Sequence, residues 1–158
     1  MKISHLIGHE RRFGTRFSLK DSGMETITII QCLPILKTRQ DREALIEAAI
    51  GGCPRFFLGT DSAPHKKRAK QSACGCAGIY SANAALSYYA EVFDAQGALG
   101  RLENFASVFG AEFYGLPLNE SSIELERREW CVEPSIAFDD DEVVPLLAGQ
   151  RLQWKKVS

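Results

Sequence analysis

No apolar run in this sequence approaches the roughly 20 residues that a helix needs to cross a bilayer. The first residues, with Lys2, His5, His9, Arg11 and Arg12, hold no long apolar stretch leading to a small-residue cleavage site. A membrane span and a secretory signal are therefore not expected. An excess of charge of one sign is missing too: 19 Lys and Arg stand against 20 Asp and Glu, scattered along the chain. Bulk charge thus speaks against nucleic acid or a membrane surface as partner. Internal repeats and the glycine fingerprints of P-loop and Rossmann nucleotide sites are absent. Histidine is scarce, with three in 158 residues. His5 and His9 are four apart, a spacing that would set both imidazoles on one helix face, but Gly8 lies between them and no carboxylate follows at a useful offset, so they make a poor metal site.

Cysteine is not abundant enough for a disulfide scaffold. Cys32, Cys53, Cys74, Cys76 and Cys131 are odd in number and irregularly spaced, which fits a reducing cytoplasm. Cys74-Gly75-Cys76 is one residue too short for the C-x-x-C of zinc or redox sites and reads as buried or loop thiols. The acidic run Asp139-Asp140-Asp141-Glu142 lacks the alternating oxygen ligands and central glycine of an EF-hand and reads as a solvated turn. The basic run Lys66-Lys67-Arg68-Ala69-Lys70 reads as a solvated face or, beside a site, as a source of positive potential for an anionic substrate.

What the chain does have is enough apolar character, 45% of residues, to build a core for one ordinary domain or a piece of a larger one. It is organised around Phe56-Phe57-Leu58-Gly59-Thr60-Asp61-Ser62-Ala63-Pro64-His65. An apolar run suited to a buried strand, predicted over residues 55–60, stops there and is followed at once by a carboxylate, a hydroxyl and an imidazole. In parallel α/β folds the strand C-termini form the functional face, which would put Asp61 and His65 at a shared mouth. The competing reading has Asp61 capping the next segment. Spacing alone leaves both open.

Upstream, residues 1–24 have no clear period and form an unmatched leader, with residues 25–158 as the structured unit. Residues 26–32 are β-branched enough for a strand. Thr38 with Asp41 three residues on gives a capping-box start to an amphipathic helix over residues 42–50, which Gly51-Gly52 ends. Strand, helix and strand then make one right-handed parallel unit. The Ser, Gly, Ala and Cys content of residues 66–78 suits a long loop packed closely against something. Ser81 is expected to cap a helix over residues 82–95 that buries Leu86, Tyr89, Ala90 and Phe93. A second helix, over residues 99–109, buries Leu102, Phe105, Ala106 and Phe109 and stops at Gly110. Residues 122–126, 130–132 and 152–154 read as short extended segments.

Five blocks carry a resemblance. Cys32-Leu33-Pro34-Ile35-Leu36-Lys37, residues 57–65, Ser72-Ala73-Cys74-Gly75-Cys76-Ala77-Gly78, Phe113-Tyr114-Gly115-Leu116-Pro117 and Leu147-Ala148-Gly149 resemble, in order and spacing, the C-terminal part of bacterial-type dihydroorotases. The resemblance implies an α/β fold, the C-terminal part of a (β/α)8 TIM-barrel amidohydrolase, here an incomplete barrel. It also implies a hydrolase with two zinc ions, acting in pyrimidine biosynthesis by the reversible cyclisation of N-carbamoyl-L-aspartate to L-dihydroorotate. In that family an Asp at the end of the last barrel strand binds one zinc and moves a proton between the metal-bridging hydroxide and the ring nitrogen, which carries over to Asp61. The substrate carboxylate is held by a His four residues on and by the backbone of an Ala in the glycine-rich loop, which carries over to His65 and Ala77. The main chain of the Leu in the Cys-Leu-Pro block touches substrate, which carries over to Leu33.

Upstream of Cys32 the chain does not carry the family's His-x-His pair, carboxylated lysine, two further metal-binding histidines, or the Arg and Asn of the substrate clamp. It is therefore expected to be inactive alone. It is also expected to self-associate or require the missing N-terminal part, since an opened barrel leaves bare strand edges. The alternative is a non-catalytic interaction protein or remnant that docks on a full-length enzyme through the outer helices of residues 82–109.

Overall fold

The computed structural model describes residues 38–73 and 75–157. The leader, the strand expected over residues 26–32, and Leu33 lie outside the described residues.

Helix α1, Arg39–Ile50, begins as the sequence predicts. Thr38 Oγ1 accepts from the Asp41 amide at 3.3 Å, and the Thr38 amide donates back to Asp41 Oδ2 at 3.0 Å. Two of the amide donors at the helix start are thereby satisfied. Ile46 and Ala49 form its buried side. After Gly52, at φ 78°, the chain passes through residues 53–65 without a named strand, with Gly59 and Ser62 as single bridge positions. The expected strand over 55–60 is held by isolated bonds instead: the Leu58 amide donates to Phe105 O at 2.9 Å, and Gly59 O accepts from the Tyr89 hydroxyl at 3.2 Å. A short α2, Lys67–Lys70, follows.

The centre of the molecule is α3, Ala85–Ala95, preceded by a 3-10 turn, Ala82–Ala84. Tyr88, Tyr89, Ala90, Val92 and Phe93 are all buried. Tyr88 was not on the expected face, and Leu86, which was, stays half-buried. The reason is that α3 is covered from several sides: Phe105 stacks on both Tyr89 and Phe93, with ring centroids 5.2 and 5.3 Å apart, while Val132 and Leu152 close the core from the strands. Helices covered all round show little of the one-face periodicity that sequence reading relies on. Within residues 82–109, the α3 face of Tyr88, Tyr89 and Phe93 is core, while Arg101, Glu103 and Asn104 are exposed.

The next helical run starts with a 3-10 turn, Leu99–Arg101, widens into a π-helical stretch, Asn104–Val108, and continues as α4, Phe109–Tyr114. It passes through Gly110, where a stop was expected, and ends at Gly115, whose left-handed φ of 64° favours glycine. At Gly110 a Cβ would meet the Phe57 ring at 3.4 Å, an ordinary contact, so neither packing nor backbone demands glycine there. Phe109 is only half-buried, whereas Leu102 and Phe105 are buried as expected.

Two antiparallel ribbons complete the described residues. Strand β1, Leu125–Cys131, pairs with β4, Arg151–Lys156, from Leu125 opposite Lys156 to Cys131 opposite Arg151. Between Arg127 and Trp130 three steps along β1 match two along β4, a β-bulge. The ribbon lies on α3 through Glu91 Oε1, which accepts from the amides of Gln153 and Trp154, and through Asp94 Oδ2, which accepts from Trp154 Nε1 at 3.1 Å. Strands β2, Ile136–Phe138, and β3, Asp141–Val143, form the second ribbon, closed by Asp139-Asp140 with Asp139 at φ 53°. The fold is mixed helix and strand, and the strands of the described residues do not close into a barrel.

Candidate active-site loops

The site is built from two segments that run side by side. Ser62 bridges Ile79 in parallel, and the Ala63 amide donates to Ile79 O at 3.0 Å. The loop of residues 61–65 is thus laid along the glycine-rich loop of residues 75–80. The close approach is possible because of Gly78: at φ 122°, and with a Cβ there falling 2.4 Å from the Ala63 Cβ, no side chain fits. The expectation of a loop packed tightly against something is met here.

Asp61 sits at the turn out of the apolar run with φ 46°, left-handed backbone that a non-glycine residue adopts at a cost, and it is exposed. It is not sealed in the core, and it is the N-cap residue of no helix among the described residues. His65 Nε2 lies 3.0 Å from Ala77 O. A carbonyl oxygen only accepts, so Nε2 carries the proton in this contact. Two of the predicted residues, 12 apart in sequence, are therefore brought together, with Asp61 four residues upstream of His65 on the same loop. A small hollow beside them is lined by Ala63, His65, Lys70, Gly78, Ile79 and Val143. Leu33 lies outside the described residues.

The basic and acidic runs meet each other. Lys66 Nζ bonds Asp140 at 2.6 Å and Asp139 at 3.3 Å, Lys67 bonds Glu142 at 2.7 Å, and Arg68 pairs with Asp140 and Asp141. Hydrogen bonds from Lys66, then Arg68, hold the Asp140 carboxyl well below the usual carboxylate range, and the same contacts push Lys66 and Arg68 up. The acidic stretch is a turn, as read, but one bound to the site loop rather than simply solvated. The positive potential expected from residues 66–68 is largely offset by these carboxylates.

Comparison with known proteins finds dihydroorotases among the relatives of this chain. A dihydroorotase from Alkalilimnicola ehrlichii is 60% identical over 126 residues, which is 80% of this chain and 37% of the relative. One from Coxiella burnetii is 62% identical over 124 residues, 78% of this chain and 36% of the relative. Among solved structures, the dihydroorotase from Saccharomyces cerevisiae in complex with 5-fluoroorotic acid superposes with a TM-score of 0.81 at 33% identity, covering 99% of this chain and 42% of that one. The Campylobacter jejuni dihydroorotase gives 0.71 at 33% identity, covering 83% and 38%. The chain matches the C-terminal portion of dihydroorotases. It spans little more than a third of the length of the curated dihydroorotases it matches. No family model matches it.

At two residues of these loops, Ser62 and Lys70, the sequence reading missed what the side chain does. Ser62 Oγ accepts from the amides of Ser81 and Ala82, at 2.9 and 3.0 Å, so the cap of the 3-10 turn comes from the site loop and not from Ser81, whose hydroxyl instead reaches Thr60 O at 3.5 Å. Lys70 is buried, at 5% exposure, with Nζ on Cys76 O at 2.6 Å and Gly78 O at 2.7 Å. In the sequence it ends a basic run, and nothing marks it from its neighbours. Its only signal was the short distance to a glycine-rich loop.

Proposed function

We propose that this chain is the C-terminal share of a dihydroorotase-type (β/α)8 amidohydrolase, an incomplete barrel by itself, working in the cytoplasm on N-carbamoyl-L-aspartate and L-dihydroorotate in pyrimidine biosynthesis. Asp61, His65 and Ala77 are its contribution to the site, together with Leu33. The observation that carries the reading is the 3.0 Å contact joining His65 to Ala77, the two residues assigned to the substrate carboxylate.

With Nε2 donating to Ala77 O, the bond from His65 to a carboxylate falls to Nδ1–H of the imidazolium, a charge-assisted donor. A main-chain N–H of Ala77 adds a fixed second donor. These two hold the carboxylate that does not react, and so place the reacting end of the substrate against Asp61, which accepts the amide proton in cyclisation and returns it in hydrolysis. Zinc is implied for the whole enzyme, but the described residues do not fit a complete zinc site. No three His, Cys, Asp or Glu side chains among them form a group that could hold a metal ion, and zinc sites draw on three or four protein ligands. Asp61 fits as one donor to a site completed by the rest of the barrel.

The test is complementation. Alone, with zinc, the purified chain is expected to show no turnover. Mixed with the unmatched N-terminal remainder of the C. burnetii dihydroorotase, it is expected to cyclise N-carbamoyl-L-aspartate, and Asp61→Ala abolishes this. Turnover by the isolated chain, or a complemented enzyme indifferent to Asp61→Ala, refutes the reading.

A second reading, a non-catalytic protein that docks on a full-length enzyme, is favoured by one feature. Phe113, Tyr114, Leu116, Leu118 and Ile123 are each 52% to 66% exposed within one short stretch, more than monomers usually leave in one place. Size-exclusion with light scattering, with and without a full-length dihydroorotase, separates the two: co-elution without any gain of activity on complementation favours docking alone.

A further inference from the structure

Lys70 is the one charged side chain buried among the described residues, and it spends two donors on the two carbonyls that flank Ala77. The carbonyl of Cys76 and the amide of Ala77 belong to the same peptide unit. In a trans peptide C=O and N–H point to opposite sides of a rigid plane. Drawing Cys76 O onto the Lys70 ammonium therefore turns the Ala77 N–H away from Lys70. The next peptide is fixed from the other side, because Ala77 O is held by His65 Nε2. The one after is fixed again, with Gly78 O on Lys70. Three successive peptide planes are thus set by two side chains, at a point where glycines at φ 55° and 122° leave the backbone free to turn. A positive charge on the Cys76 carbonyl also polarises that peptide and makes its N–H a stronger donor.

We propose that Lys70 is the positioning residue of the carboxylate-binding loop: it fixes the Cys76–Ala77 peptide so that the Ala77 N–H faces away from it, and it holds Ala77 O where His65 Nε2 can bond it. The proposal deepens the reading above, resting on it for the identity of the anion but not for the geometry of the loop.

The geometry can be read in the purified chain without ligand. Three histidines make ring-nitrogen NMR assignable. Wild type is expected to show His65 with Nε2 protonated and a single, sharp Ala77 amide. In Lys70→Met the Ala77 amide shifts or broadens and the His65 tautomer preference is lost, while amides of residues 85–95 stay in place. Unchanged Ala77 and His65 signals in a folded Lys70→Met overturn the proposal. Should Lys70→Met fail to fold, the wild-type ammonium decides: slow-exchanging Lys70 Nζ protons support the two carbonyl bonds, and exchange as fast as that of the other lysines overturns them. Titration of the complex with the C. burnetii N-terminal remainder by N-carbamoyl-L-aspartate, for wild type and for Lys70→Met, is the separate arm. If wild type does not respond while Lys70→Met still disturbs His65, the functional reading fails and the positioning role stands.

Discussion

Asp61 offers a test in which the sign of the effect is as informative as its size. Its φ of 46° puts an L-residue in the left-handed region, at a cost of about 1–2 kcal/mol for a side chain with a Cβ. Replacing it by Ala and by Gly removes the carboxylate and all its contacts in both variants, so those losses cancel in the comparison. What remains is the backbone. Glycine is freed from the left-handed penalty but loses about 0.4–1 kcal/mol to Ala through the larger freedom of its unfolded chain. The difference leaves Asp61→Gly more stable than Asp61→Ala by about 1 kcal/mol. At an ordinary loop position with negative φ the order is reversed. Equilibrium urea unfolding of the pair, at equal m-values, measures the difference directly. Asp61→Ala equal to or more stable than Asp61→Gly refutes the claim of strain at this residue. Strain held at a site is a cost that function maintains, so the complemented enzyme is expected to be inactive with either variant, the more stable one included.

Ser62→Ala takes the acceptor from the amides of Ser81 and Ala82 and is expected to cost about 1–2 kcal/mol, seen as a lower melting temperature, while Ser81→Ala costs less because its hydroxyl bond is long. Phe105→Ala removes a buried ring stacked on Tyr89 and Phe93 and is expected to cost about 3–5 kcal/mol, with loss of cooperative unfolding by near-UV circular dichroism. Because the Asp140 carboxyl is depressed in the folded chain by Lys66 and Arg68, the link it makes is complete above the ordinary carboxylate pKa of about 4 and is lost as pH falls through the depressed value. The Asp140 carboxyl carbon shift is therefore expected to move only in strong acid, and in Lys66→Met with Arg68→Met that transition is expected to rise toward the ordinary carboxylate range.

Local signals were legible and non-local ones were not. Thr38 and Asp41 announce a capping box because both partners lie within one turn, and the structure has it. The Ser62 cap was unreadable because its donors lie 19 and 20 residues on. Gly110 misled as well: a glycine after an apolar stripe looks like a stop, but the left-handed φ that ends the helix is at Gly115. The apolar run at residues 55–60 reads as a strand from its composition, yet a strand exists only through its neighbours. Among the described residues it finds single bonds from Phe105 and Tyr89 rather than a ladder. The loop of residues 61–65 was the most legible part of the site, since its chemistry is carried by adjacent residues. What faces that loop was not.

The fate of the charged runs changes where the attraction for an anion must come from. If Lys66, Lys67 and Arg68 faced the mouth unpaired, three cations would supply a broad field, and affinity for a carboxylate would fall steeply with salt. Instead each is paired with a carboxylate of residues 139–142, so their charge ties the β2–β3 ribbon to the loop that carries His65. That ribbon also supplies Val143 to the hollow beside His65. The charges therefore hold the two loops and the ribbon together, and under the proposed function recognition is left to short-range donors: the His65 ring and the Ala77 amide, with the buried Lys70 behind it. Donors of this kind act through distance and direction, so carboxylate binding here is expected to respond strongly to a turned peptide and only weakly to ionic strength.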